Sequence, residues 1–214
     1  MNAVRRVAAG EAPALAAIVR GLPEYFTDDV PGKVEHDADS HEAWVITDDG
    51  TITGFVIAAR KSPGGAEILW IAVDAPRRGQ GHGTRLLNNV MDDLARTGVS
   101  VVTVKTLDSS AGYAPYEATR AFYEHNGFVY VDTIDPLPGW PPGNPAAIYA
   151  AAIRLTRGEQ REPQMRPAPG GGLARPGRGE PDQGSAGQPA APTLTRRIRD
   201  APDPGACVPG CEQG

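Results

Sequence analysis

Apolar and polar positions change rhythm repeatedly along the first 155 residues, and each change predicts an element. "AVRRVAA" reads as a short first strand. A helix follows, with Pro13 early in it and Leu15, Ile18, Val19 and Leu22 on one side. From Pro23 to Ser40 the periodicity is weak, and the stretch suits a second short helix and a loop. Ala43–Ile46 and Ile52–Ala59 flank Asp49-Gly50, whose residue types suit the positive dihedrals of a hairpin turn. A second turn at Pro63-Gly64-Gly65 leads into a strand over Glu67–Val73. Leu86, Leu87, Val90, Met91 and Leu94 then recur at helical spacing, while Arg85, Asn88, Asn89, Asp92 and Asp93 face away. That helix ends near Gly98, and Val99–Leu107 reads as a strand. Strand, helix and strand in this order predict a parallel pair joined by a right-handed crossover. Pro115–Asn126 gives another helix. Phe128–Asp132 and Ala146–Leu155 give two last strands, joined by the loop "DPLPGWPPGNP".

Composition divides the chain. After Thr156 aliphatic residues almost vanish, and Pro, Gly, Arg and Gln crowd the sequence ("PAPGGGLARPGRGEPDQG"). Such a stretch cannot bury enough apolar surface to offset its conformational entropy, so 1–156 is expected to be the folded domain and 157–214 a disordered tail. "TRRIRD" at Thr195–Asp200 reads as a solvated basic cluster. A net charge of −5 leaves no electrostatic footprint for a nucleic acid, and an acidic body is compatible with a cationic acceptor. Cys207 and Cys211 both lie in the tail, so the expected domain has no disulfide, cysteine nucleophile or thiolate metal site. The apolar runs are too short to span a bilayer and no secretory leader is evident, which makes the cytoplasm the default location.

The candidate chemistry sits in "IAVDAPRRGQGHGTRLLNNV", residues Ile71–Val90. Gly79, Gly81 and Gly83 lie between a strand and a helix, where free first-turn amides and the helix dipole favour an anion such as a phosphate. A P-loop is excluded because Gly83 is followed by Thr84 and Arg85, with no Gly-Lys-Ser/Thr. A Rossmann fingerprint starting at Gly79 would need glycine at position 84, which is Thr84.

The spacing that fits is Arg-x-x-Gly-x-Gly: Arg78, Gly81 and Gly83. It resembles the acyl-CoA pyrophosphate loop of the GCN5-related N-acetyltransferase (GNAT) superfamily. Upstream, "AEILWIAV" is similar to that family's fourth strand, with Glu67 where one branch has its general base. Downstream, "ATRAFYEHNGF" is similar to its fourth helix, with Tyr123 two turns in. The element order βααβββαβαββ also matches this α/β fold, a mixed twisted sheet in which two central parallel strands splay apart around the cofactor's pantetheine arm.

The resemblance implies transfer of an acetyl group from acetyl-CoA to a primary amine by direct attack in a ternary complex. It assigns the pyrophosphate to backbone amides of Arg78, Gly79, Gln80, Gly81, His82, Gly83 and Thr84, with the Arg78 side chain available for a charge-assisted contact. The backbone of Ile71, Ala72 and Val73 would orient the acyl group. Tyr123 would protonate the leaving thiolate, and Glu67 would take the amine's proton through water. Strand alternation would put Glu67 on one face with Leu69 and Ile71. Many relatives carry asparagine two turns before the tyrosine; here that position is Tyr116. The acceptor's pocket is expected among Glu24, Tyr25 and Phe26, the stretch Asp108–Tyr116, and Trp140. No metal, nucleic acid or membrane partner is expected, and a homodimer is left open. The alternatives are a non-catalytic acyl-CoA-binding or sensing module and, more remotely, a protein that acts through its tail.

Overall fold

The computed structural model of the chain describes residues 3–153. The expected tail, its boundary at residue 156, Cys207 and Cys211 lie outside the described residues. The chain runs β1 (Ala3–Arg6), α1 (Ala12–Arg20), α2 (Val30–Ser40), β2 (Glu42–Asp48), β3 (Thr51–Ser62), β4 (Gly65–Val73), α3 (His82–Arg96), β5 (Val101–Leu107), α4 (Pro115–His125), β6 (Val129–Ile134) and β7 (Ala146–Ala152). This is the order expected from the pattern. The strands form one sheet in the order β1-β2-β3-β4-β5-β7-β6, antiparallel throughout except between β4 and β5.

Local chemistry accounts for most boundaries. Asp49 and Gly50 close the β2–β3 hairpin with φ of 48° and 83°, both positive as a tight hairpin turn demands. Pro13 and Pro31 occupy first turns of α1 and α2, where a missing N–H costs nothing. Glu11, the residue just before α1, accepts from the two terminal guanidinium nitrogens of Arg5 at 2.7 Å, which fastens β1 to the start of α1.

The sheet carries a core on each face. On one, Leu86, Leu87, Val90 and Leu94 of α3 are fully buried against Trp44, Ile46, Val56, Ile68 and Val104. Each such burial is worth roughly 1.5–3 kcal/mol. On the other, Leu15, Val19 and Leu22 from α1 and its end, with Val34 of α2, pack on Val45, Phe55, Ile57 and Trp70. The Trp70 indole N–H donates to the buried carboxylate of Asp37 at 2.6 Å, pinning α2 to the sheet.

The centre of the sheet departs from simple alternation. Ile57 faces Trp70, but the next residue, Ala58, faces Ile68, so Leu69 is an extra residue in β4. Pairing of β4 with β5 stops at Ile68 and Val104, just before that bulge, although β4 continues to Val73 and β5 to Leu107. A bulge bends its strand and ends pairing, and here it opens a gap between the two parallel strands. It also corrects the expected facing of β4. Leu69, Trp70 and Ala72 join the core under α1 and α2, whereas Ile71 packs with Ile68 on the α3 side. Ile71 therefore does not share a face with Leu69.

Candidate active site

The gap between β4 and β5 opens into a cavity of about 380 Å³. Ile71, Ala72 and Val73 form one wall, and Lys105 and Thr106 the other. Because β5 has left, the β4 edge there has no neighbouring strand on that side among the described residues.

The glycine loop closes one end. Gly79 and Gly81 have φ of 72° and 79°, left-handed values that a side chain would strain, and Gly81 is the N-cap of α3. The helix's first backbone bond runs from Arg85 N–H to Gly81 O at 3.0 Å, so the amides before it are the donors a helix start presents to an anion. Gly83 differs from the other two. A Cβ there would lie 3.1 Å from the Phe122 ring, so its bareness lets α3 and α4 approach.

The loop's side chains have structural duties. The Arg78 guanidinium pairs with Glu24 at 3.1 Å and lies 4.5 Å over the Tyr25 ring. Arg77 pairs with Asp48 at 3.0 Å. The Gln80 amide donates to the Pro76 carbonyl at 2.9 Å, and Thr84 lines the cavity. His82 is buried, its Nδ1 3.3 Å from Thr53 Oγ1. It also lines the cavity.

Tyr123 is 3% exposed and lines the cavity from α4. Its ring contacts Phe122 edge-on at 5.4 Å and lies 5.6 Å from Phe128. Tyr116 also lines the cavity, and its hydroxyl donates to Tyr25 O at 3.0 Å; the Tyr113 hydroxyl donates to Glu24 O at 2.9 Å. Together they lace the start of α4 to the segment between α1 and α2. Of the expected acceptor residues, Tyr25, Phe26 and Tyr116 face the cavity. Trp140 instead packs beneath it with Leu107 and Ala146.

Glu67 lies elsewhere. It is 6% exposed and is not among the residues lining the cavity. Its oxygens meet Lys61 Nζ at 3.1 Å and Lys105 Nζ at 2.7 Å. Both are occupied by ammonium groups. A different residue stands out instead. Thr106 is 2% exposed and lines the cavity, and its hydroxyl has no hydrogen-bond partner among the described residues. Sequence reasoning missed it, since a threonine in a strand is unremarkable until its neighbours are known.

Among the described residues, no cluster of His, Cys, Asp and Glu could hold a metal ion, and no helix is long and apolar enough to cross a membrane.

Comparison with known proteins follows the same lines. Residues 39–130 match the family model of the acetyltransferase (GNAT) domain. No curated protein sequence matches the chain. The fold is similar to that of a GNAT-family protein from Desulfovibrio desulfuricans (24% identity, TM-score 0.63, 72% of this chain and 100% of that one). It is also similar to the ribosomal-protein-S18-alanine N-acetyltransferase of Escherichia coli (22%, 0.59, 74% and 98%). A GNAT-family acetyltransferase from Elizabethkingia anophelis, solved with acetyl-CoA bound, matches at 19% identity and a TM-score of 0.53, over 71% of this chain and 98% of that one.

Proposed function

The chain carries an acetyltransferase domain of the GNAT family, and from that premise we propose that it moves an acetyl group from acetyl-CoA to a primary amine by direct attack in a ternary complex. One observation carries the reading: a single cavity joins the glycine loop at the start of α3, the stretch of β4 that is not paired with β5, and Tyr123 of α4. These are the three things the reaction needs.

The amides from Gly79 to Thr84 hold the pyrophosphate, and the helix dipole adds to them; the Arg78 amide instead donates to the Ala75 carbonyl at 3.3 Å. The pantetheine arm continues along Ile71–Val73, where strand amides polarise the thioester carbonyl as negative charge develops on its oxygen. The amine enters as its free base. Its lone pair forms the C–N bond as the C–S bond breaks, the nitrogen gives its surplus proton to water, and the sulfur takes a proton from Tyr123. Solvent restores the tyrosine's proton. Glu67 holds Lys105 in the cavity wall and is not needed as a base in this scheme.

The alternative, an acyl-CoA-binding module without turnover, separates cleanly. Incubation with acetyl-CoA and a panel of primary amines releases free CoA under the enzyme reading. Acetyl-CoA binding without CoA release from any amine supports the alternative.

A further inference from the structure

The acceptor is the unidentified half of this reaction, and the cavity's lining bears on its chemistry. The two cores define two sides. Tyr123 and the buried face of α3 lie on one face of the sheet, while Leu22 and Phe26 belong to the other. The glycine loop and α4 hold the cofactor from the first side, so an amine must reach the thioester from the second.

That second side is aromatic and uncharged except for cations. Leu22, Tyr25 and Phe26 form it, with Tyr116 beside them; the rings of Tyr25 and Tyr116 are 5.5 Å apart, and those of Phe26 and Trp70 6.3 Å apart. The charged residues lining the cavity are Arg77, Arg78 and Lys105, and among the described residues no carboxylate lines it. Three carboxylates on the flanking elements are engaged. Glu67 is held by Lys61 and Lys105, Glu24 by Arg78, and Asp108 accepts from Ser110 and Thr133. The Tyr25 ring is not a cation cage either, because the Arg78 guanidinium already covers it.

We infer that the acceptor is a monoamine with an aromatic or apolar body, and that polycationic amines are excluded. This rests on the acetyl-transfer reading above. A polyamine or aminoglycoside would place its spare ammonium groups against aromatic and apolar walls, and the flanking carboxylates Glu67 and Glu24 are already paired with Lys105 and Arg78. A hydrophobic monoamine sheds its one charge on becoming the nucleophile and buries its body against Leu22, Phe26 and Tyr116. The overall charge of −5 suggests a cationic acceptor, but the cavity lining offers no carboxylate among the described residues.

The test compares kcat/KM for 2-phenylethylamine, spermidine and kanamycin by CoA release from the full chain, with acetyl-CoA affinity measured alongside. The expected result is a preference for 2-phenylethylamine over both polycations of at least about tenfold. In Lys105→Met, which removes the cation paired with Glu67 in the cavity wall, spermidine should gain at least about fivefold relative to 2-phenylethylamine. Equal or better use of spermidine or kanamycin by the unaltered protein would overturn the acceptor class while leaving acetyl transfer intact. Bound acetyl-CoA with no release from any amine would remove acetyl transfer itself, and this inference with it.

Discussion

Thr106 buries a hydroxyl without a partner among the described residues, which costs on the order of 1–3 kcal/mol unless a ligand supplies one. Val102 and Val104 precede it at alternate positions and pack in the core that contains Tyr123, so Thr106 faces the cofactor side of the gap. Thr106→Val should then raise the thermal midpoint slightly and weaken acetyl-CoA binding about tenfold, roughly 1.4 kcal/mol. Calorimetry and a melting curve read the two opposite signs; unchanged affinity would leave the hydroxyl without a role. Glu67 gives a contrasting expectation. A dedicated base would be worth about 10²–10⁴ in rate, but a carboxylate already shared by two lysines is a positioning group. Glu67→Gln should therefore keep kcat within about threefold, and a loss of a hundredfold would restore it as the base. Neither result was legible in the residues themselves. "AEILWIAV" shows a carboxylate in a strand, but Lys61 and Lys105, which decide its chemistry, come from two other strands.

At the scale of elements, periodicity located nearly everything. The α3 stripe is buried as its spacing requires, with Met91 alone only half-buried. The β4 bulge was invisible, because an extra residue is a property of pairing with β3 and not of the β4 sequence alone. The glycines were legible as a loop but not individually. Gly83→Val, which simple occlusion of a pyrophosphate would also affect, meets the Phe122 ring. It should lower acetyl-CoA affinity at least about tenfold and lower the thermal midpoint too, as calorimetry and melting would show. Unchanged affinity with an intact fold would remove the loop from the site. Away from the site, Arg5 and the Ala8 amide hold the Glu11 carboxyl down to about 2 from its ordinary 4.5. A depressed folded-state value adds stability above the unfolded value that is lost as pH falls. Relative to Glu11→Gln, the native protein should be more stable at pH 7 by up to about 1 kcal/mol, since the pair is partly exposed. That advantage should disappear between about pH 4.5 and 2, which urea midpoints at both ends would measure.

For the whole molecule, the solved relatives are spanned almost end to end by about 72% of this chain, leaving over a quarter without a counterpart. We propose that 1–156 is the catalytic unit, on that ground and on the compositional break. Within it, two layers of helices on opposite faces of one split sheet divide the work. In the proposed reaction the α3 and α4 side binds the cofactor, and the α1 and α2 side admits the amine. The claim that joins them is that Tyr123 donates a proton across the gap. A thiolate with a pKa near 8.5 departs unassisted near neutral pH, only more slowly, so removing the hydroxyl should slow turnover without abolishing it. The direct measurement is kcat for Tyr123→Phe with an accepted amine, under conditions where chemistry limits the rate. The account predicts a loss of about 10²–10⁴ with acetyl-CoA affinity nearly unchanged; a kcat within about twofold of the native value would return Tyr123 to the core as a packing residue.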